Sequence, residues 1–344
     1  MFNSILSKYF SNLGPKISPS VLRYTSGIIS ACSFSTAEIS RYVSKETGQN
    51  FNTSDKGLTY LLSNRNFQID DKYWRCHINM IFDLMQEQDL IENDGRIFIQ
   101  VDFTSFEDFF LILTASVIIK ERSVPLYFSM RNYPKKKGQY DHKRMERAFI
   151  KGLKHVLSKK YQYIIVADRG FANDRFLEIL EENAFDYLIR SNSNLKVQFY
   201  DIKGIMEAVC DKKGIYDAKI ISWERDVKIC RCENEKGQWH LLSNIDWLDY
   251  DGMQKAYEDR FKIEKCFQDL KSSGFDIEKS KIRKYSRYKK LLAMTMIAHA
   301  LLVFLGHLIV VKLPTFLKNS LLMESVILAY FQSDEKLCSY LKSG

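Results

Sequence analysis

Residues 161–168 read Tyr-Gln-Tyr-Ile-Ile-Val-Ala-Asp, a run of aromatic and β-branched residues that ends in a carboxylate. A near-continuous apolar run of this length is typical of a strand that is buried on both faces of a parallel sheet. A helix pattern with one apolar stripe and one basic face precedes it over 142–160, and a second helix pattern follows over 174–183. This order of helix, buried strand and helix predicts an α/β fold.

Further elements of the predicted fold lie before and after this run in the sequence. Further strand patterns occupy residues 96–103, 109–120, 124–130 and 186–191. Residues 191–249 are strand-like and rich in turns, and a late helix is predicted over 253–272. We therefore predict three strands, a helix, a strand, a helix, a strand and a late helix, with a β-rich insertion before the last element.

Composition limits the class of protein. The chain has 344 residues, of which 46% are hydrophobic and 27% charged, and its formal net charge is +9. This apolar content supports a sizeable core and excludes a wholly disordered chain, while the positive balance favours a polyanionic partner. Seven cysteines without a framework spacing indicate reduced thiols inside the cell. Cys230, Cys232 and His240 lack the second ligand pair of a structural zinc site, so we interpret them as ordinary side chains.

Residues 1–92 are predicted to form a helical amino-terminal domain. A capping-box pattern opens a helix over 36–45, and a polar turn leads to a second helix over 54–62. Two short helices joined by a turn are typical of a helix-turn-helix, in which Lys56 would lie near DNA. An ordinary helical bundle fits the same pattern equally well.

Residues 291–311 form a long apolar stretch that contains no Asp, Glu, Lys or Arg. Its length meets the requirement for a membrane span, and a strongly basic segment, residues 279–290, precedes it. We favour a fully buried helix that covers the sheet, because a basic soluble chain of α/β pattern precedes this stretch.

Two aspartates end strands of the predicted sheet. Asp102 follows the first strand and Asp168 follows the buried strand, 66 residues later. Side chains at the carboxyl ends of neighbouring strands converge on one crevice, where α/β proteins usually bind their ligands. We therefore expect these two carboxylates to lie close together.

The late helix carries four chemically different side chains at a regular spacing. At about 100° per residue, Tyr257, Arg260, Glu264 and Lys271 share an arc of about 60° on one continuous helix. An exposed Arg–Glu pair four residues apart would account for two of the four, but not for the alignment of all of them. This spacing makes Glu264 the preferred acidic partner of the two aspartates.

These motifs resemble the DDE transposases of bacterial insertion sequences that carry the Tyr-Arg-Glu-Lys signature, the insertion sequence four type. The signature of Tyr, two residues, Arg, three residues, Glu, six residues and Lys matches residues 257–271 without a gap. The contexts of Asp102 and Asp168 are similar to the first and second Asp motifs of the family. Residues 241–244, which follow Trp239, resemble a segment of its β-rich insertion. The likeness covers about residues 95–310.

The resemblance implies an RNase H-like, retroviral integrase-like catalytic core. It would comprise residues 93–190 and 250–312, interrupted by the insertion at 191–249 and followed by a C-terminal helical segment at 313–344. The implied catalytic and metal-binding residues are Asp102, Asp168 and Glu264, with Tyr257, Arg260 and Lys271 on the phosphate backbone. Three adjacent carboxylates repel one another, and their oxygens suit two Mg²⁺ or Mn²⁺ ions. Trp239 is a further candidate for stacking on a base.

The expected function is that of a DNA transposase, which hydrolyses phosphodiester bonds at the ends of an element and joins the 3′-hydroxyl to target DNA. Its partners would be duplex DNA with terminal inverted repeats, target DNA and a second copy of the chain. We expect it in the cytoplasm, on the nucleoid when bound to DNA, and not in a membrane. An RNase H-like nuclease without strand transfer and a catalytically silent DNA-binding derivative are the alternatives.

Overall fold

The computed structural model describes residues 2–92, 94–106, 109–133, 142–235 and 237–312, and the predicted segment at 313–344 lies outside them. Five helices form the amino-terminal part: α1 (Phe2–Phe10), α2 (Ser18–Ala31), α3 (Thr36–Thr47), α4 (Phe51–Ser63) and α5 (Asp71–Glu87). The two helices predicted after the capping box are confirmed. The second starts earlier than predicted, because the Asn50 side chain accepts a hydrogen bond of 2.8 Å from the amide of Thr53.

The central part alternates strands and helices in the predicted order. Its elements are β1 (Arg96–Phe106), β2 (Phe110–Ile119), β3 (Arg122–Asn132), α6 (His142–Val156), β4 (Gln162–Ala167), α7 (Asp174–Glu182) and β5 (Asp186–Ser191). The strand predicted from residues 161–168 is β4, and five of its six residues are buried. The helix that precedes it is shorter than predicted, since it ends at Val156.

Residues 191–249 form a hairpin-rich region. Its elements are β6 (Lys196–Phe199), β7 (Ile202–Ile205), the short helix α8 (Met206–Val209), β8 (Gly214–Ile220), β9 (Arg225–Asn234) and β10 (Gly237–Ser243). The chain then returns to helix in α9 (Tyr250–Asp259), α10 (Lys262–Gln268), a π-helical segment (Asp269–Ser273) and α11 (Tyr285–Lys312).

All ten of these strands belong to one sheet, in the order β3-β2-β1-β4-β5-β10-β9-β8-β6-β7. The first three are antiparallel, whereas β4 and β5 run parallel to β1. Because β10 pairs with β5, the hairpin-rich region extends the central sheet. The chain is thus a mixed α/β protein with one large sheet.

Helices cover both faces of the central strands. Phe149 of α6 packs on Tyr127 of β3, and Phe171, just before α7, stacks on Phe103 of β1. On the other face, Tyr288 of α11 packs on side chains of β1 and β2. Helices α9 and α10 lie on this second face as well, because α9 shares a small apolar cluster with β4 and α10 contacts β1 and β3.

Helix α11 joins the amino-terminal helices to the sheet. It contacts α2, α4 and β3, and the Lys290 ammonium donates to the carbonyls of Leu62 and Asn64 at 3.2 and 2.8 Å. Its segment Tyr285–Leu308 is long and apolar enough to cross a membrane, yet 72% of its most apolar window is buried inside the protein. This packing agrees with a core helix that covers the sheet.

Candidate active site

The register of the parallel strands brings the two aspartates together. The last residues that pair between β1 and β4 are Val101 and Ala167, so Asp102 and Asp168 follow as the next neighbours. Adjacent strands lie about 4.8 Å apart, and residues at matching positions share a face. Both carboxylates therefore stand on the face that carries α9 and α10, at the carboxyl end of β4.

A tight turn after β4 orients Asp168. Its Oδ1 accepts a hydrogen bond of 2.9 Å from the amide of Gly170. A Cβ at position 170 would lie 3.1 Å from this same oxygen, closer than most such contacts. A glycine two residues after the aspartate lets the turn fold back onto the carboxylate.

The prediction of one continuous helix over residues 253–272 is wrong. Helix α9 ends at Asp259 and α10 starts at Lys262. Across the break the amides of Arg260 and Ile263 bond to carbonyls three residues back, as in a 3₁₀ turn. After α10 the chain widens into the π-helical segment. A tightened turn and a widened turn therefore flank the helix that carries Glu264.

Arg260 connects the late helices to the sheet. Its guanidinium donates at 3.3 Å to Oδ2 of Asp102 and at 3.3 Å to Oε1 of Glu264. The Arg260 side chain is only 5% exposed, whereas that of Glu264 is 56% exposed. A single cation thus bridges two of the three predicted acidic residues, and Glu264 lies on the same side of the sheet as both aspartates.

The surroundings of Asp102 shift the pKa of its carboxyl group. Burial raises the pKa of Asp102 to about 6; Arg260 opposes this rise, and the carboxylates of Asp168 and Glu264 add to it. Asp168 and Glu264 therefore both lie within electrostatic reach of Asp102. Their mutual repulsion favours a cation at this place.

The donor set fits a hard divalent cation in its chemistry. Three carboxylates offer oxygen ligands, which Mg²⁺ and Mn²⁺ prefer. Within the described part of the chain, no three His, Cys, Asp or Glu side chains are close enough to share one ion. The positive charge between Asp102 and Glu264 is supplied by Arg260 instead.

The other predicted site residues occupy different environments. Tyr257 is 2% exposed and packs with its ring 6.4 Å from that of Trp239. Lys271 is half-buried, with its ammonium 5.5 Å from the ring of Phe106. Lys56 is exposed on α4. Of these four, Tyr257 lies next to Arg260, the arginine that bridges Asp102 and Glu264.

Two features of the site were not predicted. Ala167 pairs with Ile189 in β5, so the next residue, Arg190, stands beside Asp168 on the same face. Burial raises the pKa of the Tyr257 hydroxyl, and the neighbouring Arg260 and Arg190 oppose that rise. The sequence signal that could have identified Arg190 is an arginine near the end of an apolar strand pattern.

The second feature anchors the π-helical segment. Asp269 accepts from Arg122 of β3 at 3.1 Å, and its Oδ2 lies 3.5 Å from Nε2 of His299 in α11. Burial alone would raise the pKa of Asp269, but the neighbouring His299 and Arg122 lower it. On an ideal helix Asp269 would lie off the arc that Tyr257, Arg260, Glu264 and Lys271 share, so helical spacing does not predict a role for it.

Comparison with known proteins supports a transposase. Residues 133–301 match the family model described as the transposase DDE domain, a range that includes Asp168 and Glu264 and begins after Asp102. One solved structure with detectable likeness is endonuclease V from Bacillus subtilis, at 11% identity and a TM-score of 0.27 over 55% of this chain and 81% of that one. The curated proteins contain no match. The family match is a likeness to a transposase DDE domain over about half of the chain.

Proposed function

We propose that this chain is a DNA transposase of the Tyr-Arg-Glu-Lys type with an RNase H-like core. The observation that carries the proposal is the Arg260 bridge between Asp102 and Glu264, beside Asp168, in a chain whose residues 133–301 match the transposase DDE domain. The sheet order β3-β2-β1-β4-β5, with the first three strands antiparallel, supports the RNase H-like assignment.

In this proposal Asp102, Asp168 and Glu264 hold two Mg²⁺ or Mn²⁺ ions. When bound, such ions activate an attacking water or 3′-hydroxyl and stabilise the leaving oxygen. Asp102 must be ionised to serve as a ligand, and its raised pKa makes that ionisation sensitive to pH near 6. Arg260 balances the carboxylates before the ions arrive and can then turn its fork to a phosphate.

The residues proposed to contact DNA differ in exposure. Lys271, at the end of the late helix, faces the phosphate backbone at the end of the element. Tyr257 and Trp239 pack together behind Arg260, and they would support the bound strand. Lys56, exposed on α4, would contact the terminal inverted repeats. We further propose a homodimer on DNA, since both ends of an element must be held together, in the cytoplasm.

The test is metal-dependent cleavage of DNA that carries the inverted repeats flanking the coding region. We expect Asp102→Asn, Asp168→Asn and Glu264→Gln each to lower the cleavage rate by at least about a thousandfold, because the three act as one unit. Asp251→Asn, which neutralises an exposed acid on α9, is the matched control and should cleave at the wild-type rate. Wild-type cleavage by Asp102→Asn would refute the assignment.

The same assay separates the alternatives. With labelled 3′ ends, a transposase yields joined products, whereas a nuclease without strand transfer yields cleaved ends only. A silent DNA-binding derivative binds the repeats and cleaves nothing in either Mg²⁺ or Mn²⁺.

A further inference from the structure

The basic segment before α11 has no role in the site described so far. Lys281, Arg283 and Lys284 are exposed, and the neighbouring sequence 279–290 contains no Asp or Glu. In the part of the chain that the structure describes, Lys281 and Lys284 form no ion pair. Lys281 and Lys284 therefore add positive charge to the surface near Arg283.

Aromatic side chains connect this segment to the candidate active site. The Arg283 guanidinium lies 4.2 Å from the centre of the Phe109 ring, and Phe109 is 46% exposed. Both residues line a shallow surface depression together with Phe106. We call Lys281, Arg283, Lys284 and Phe109 the Lys281 patch.

The Lys281 patch borders β1 beyond Asp102, because Arg283 and Phe109 line the same surface depression as Phe106. Phe106 is the fourth residue after Asp102 in β1, which corresponds to about 13 Å along the strand. The Lys271 ammonium lies 5.5 Å from the centre of the Phe106 ring.

A second basic surface lies on the other side of the sheet and provides a comparison. It is the exposed face of α6, which includes Lys143 and Lys151. Nearby cations are engaged within the fold, since Arg147 pairs with Glu182 at 3.8 Å and Lys154 donates to the carbonyl of Ala184. This face is directed away from Asp102.

We propose that the Lys281 patch binds the phosphate backbone of the duplex DNA that reaches the candidate active site. The proposal rests on the proposed function, because it takes DNA as the substrate of the neighbouring carboxylates. Lysine and arginine neutralise phosphates, and an exposed aromatic ring supports the bound sugar or base. A membrane surface fits less well, because the helix that follows the patch is buried against β3.

The experiment compares two double variants with the same change of charge, Lys281→Gln with Lys284→Gln and Lys143→Gln with Lys151→Gln. Binding to a fluorescent duplex of random sequence is measured without divalent metal at several salt concentrations. Each lost phosphate contact lowers the salt slope by about 0.9, so the first pair should lower it by about two. The wild type should thus lose roughly tenfold more affinity than this variant between 50 and 200 mM salt.

Any of three outcomes would overturn the proposal. The first is an unchanged salt slope in the Lys281/Lys284 variant, and the second is an equal reduction in the α6 variant. The third is unchanged DNA binding with reduced binding to phosphatidylserine vesicles, which would assign the patch to a membrane. Because binding is measured without metal, this result is independent of whether Asp102→Asn abolishes cleavage, which tests the proposed function.

Discussion

At the scale of one residue, Arg260 supplies the positive charge between Asp102 and Glu264. Its buried guanidinium offsets the carboxylates of Asp102 and Glu264, and its removal leaves Asp102 beside Asp168 without a cation. We expect Arg260→Ala to lower the free energy of unfolding by about 3 kcal/mol at pH 7. The loss should shrink at pH 5, where Asp102 takes up a proton and no longer needs a cation. Urea unfolding at both pH values checks this, and an equal loss at both would contradict it.

His77 makes stability depend on pH. It is fully buried in α5, with Nε2 2.8 Å from the carbonyl oxygen of Pro125, and burial lowers its pKa to about 4. An unfolded histidine has a pKa near 6.5, so between about pH 6.5 and 4 the unfolded chain binds the additional proton. This contribution to stability is complete above pH 6.5, and about 3 kcal/mol of it is lost as the pH falls to 4.

The variant His77→Gln should remove this dependence. We expect its free energy of unfolding to fall less steeply than that of the wild type between pH 6.5 and 4. His155→Gln, at an exposed histidine, is the control and should retain the wild-type slope. Parallel slopes for the wild type and His77→Gln would show that His77 is not the responsible group.

The sequence allowed some of these residues to be identified and not others. Asp168 could be named because it directly follows an apolar strand pattern. Asp102 was predicted to end its strand, but β1 continues to Phe106, and Glu264 was selected on a continuous helix that is broken in the structure. Arg190 could not be named, since its position beside Asp168 depends on the register of two parallel strands whose paired residues are 22 apart in sequence. The bridging role of Arg260 depends on a contact across 158 residues of sequence.

At the scale of elements, the late helix illustrates how tertiary contacts override local preference. Residues 253–272 contain neither Gly nor Pro, so their sequence predicts an unbroken helix. The structure instead tightens the turn at Arg260 and widens it at Asp269. Each departure coincides with a contact outside the helix, Arg260 with Asp102 and Asp269 with Arg122. Local propensity cannot predict such contacts.

Gly274 closes the π-helical segment and allows a direct test of it. A Cβ at this position would lie 2.7 Å from the carbonyl oxygen of Asp269, which accepts the amide of Phe275 at 3.0 Å. Because the obstacle is backbone, Gly274→Ala must displace the segment. We expect a loss of about 2 kcal/mol in urea unfolding and weaker DNA cleavage as Lys271 shifts.

Gly152→Ala is the matched control for this substitution. Its Cβ would meet the hydroxyl end of the Tyr127 side chain, which can move, and alanine favours helix α6. We expect a smaller loss of stability and unchanged cleavage. A similar effect of both substitutions would contradict a special role of the π-helical segment.

At the scale of the whole molecule, the order of strands and helices could be predicted from the sequence. The contacts between segments that are distant in sequence could not. Buried strands and amphipathic helices could be identified from β1 to β5 by their periodicity. That β10 would pair with β5 and continue the same sheet could not, because no pattern within residues 191–249 encodes its partner. The packing of α2 and α4 on α11 likewise joins segments more than 200 residues apart.

Helix α11 gives the prediction that concerns the whole chain. It is apolar enough to span a membrane, but it contacts β3, α2 and α4 and carries completely buried residues such as Ala298. If it is a core helix, the wild-type protein should remain in the supernatant after high-speed centrifugation without detergent.

Ala298→Asp would bury an unpaired carboxylate, at a cost of several kcal/mol, and should aggregate. Ser286→Asp, an exposed change in the first turn of α11, should remain soluble, because an acid is favourable at a helix N-terminus. Release of the wild type from the membrane pellet only by detergent would show instead that α11 spans the bilayer.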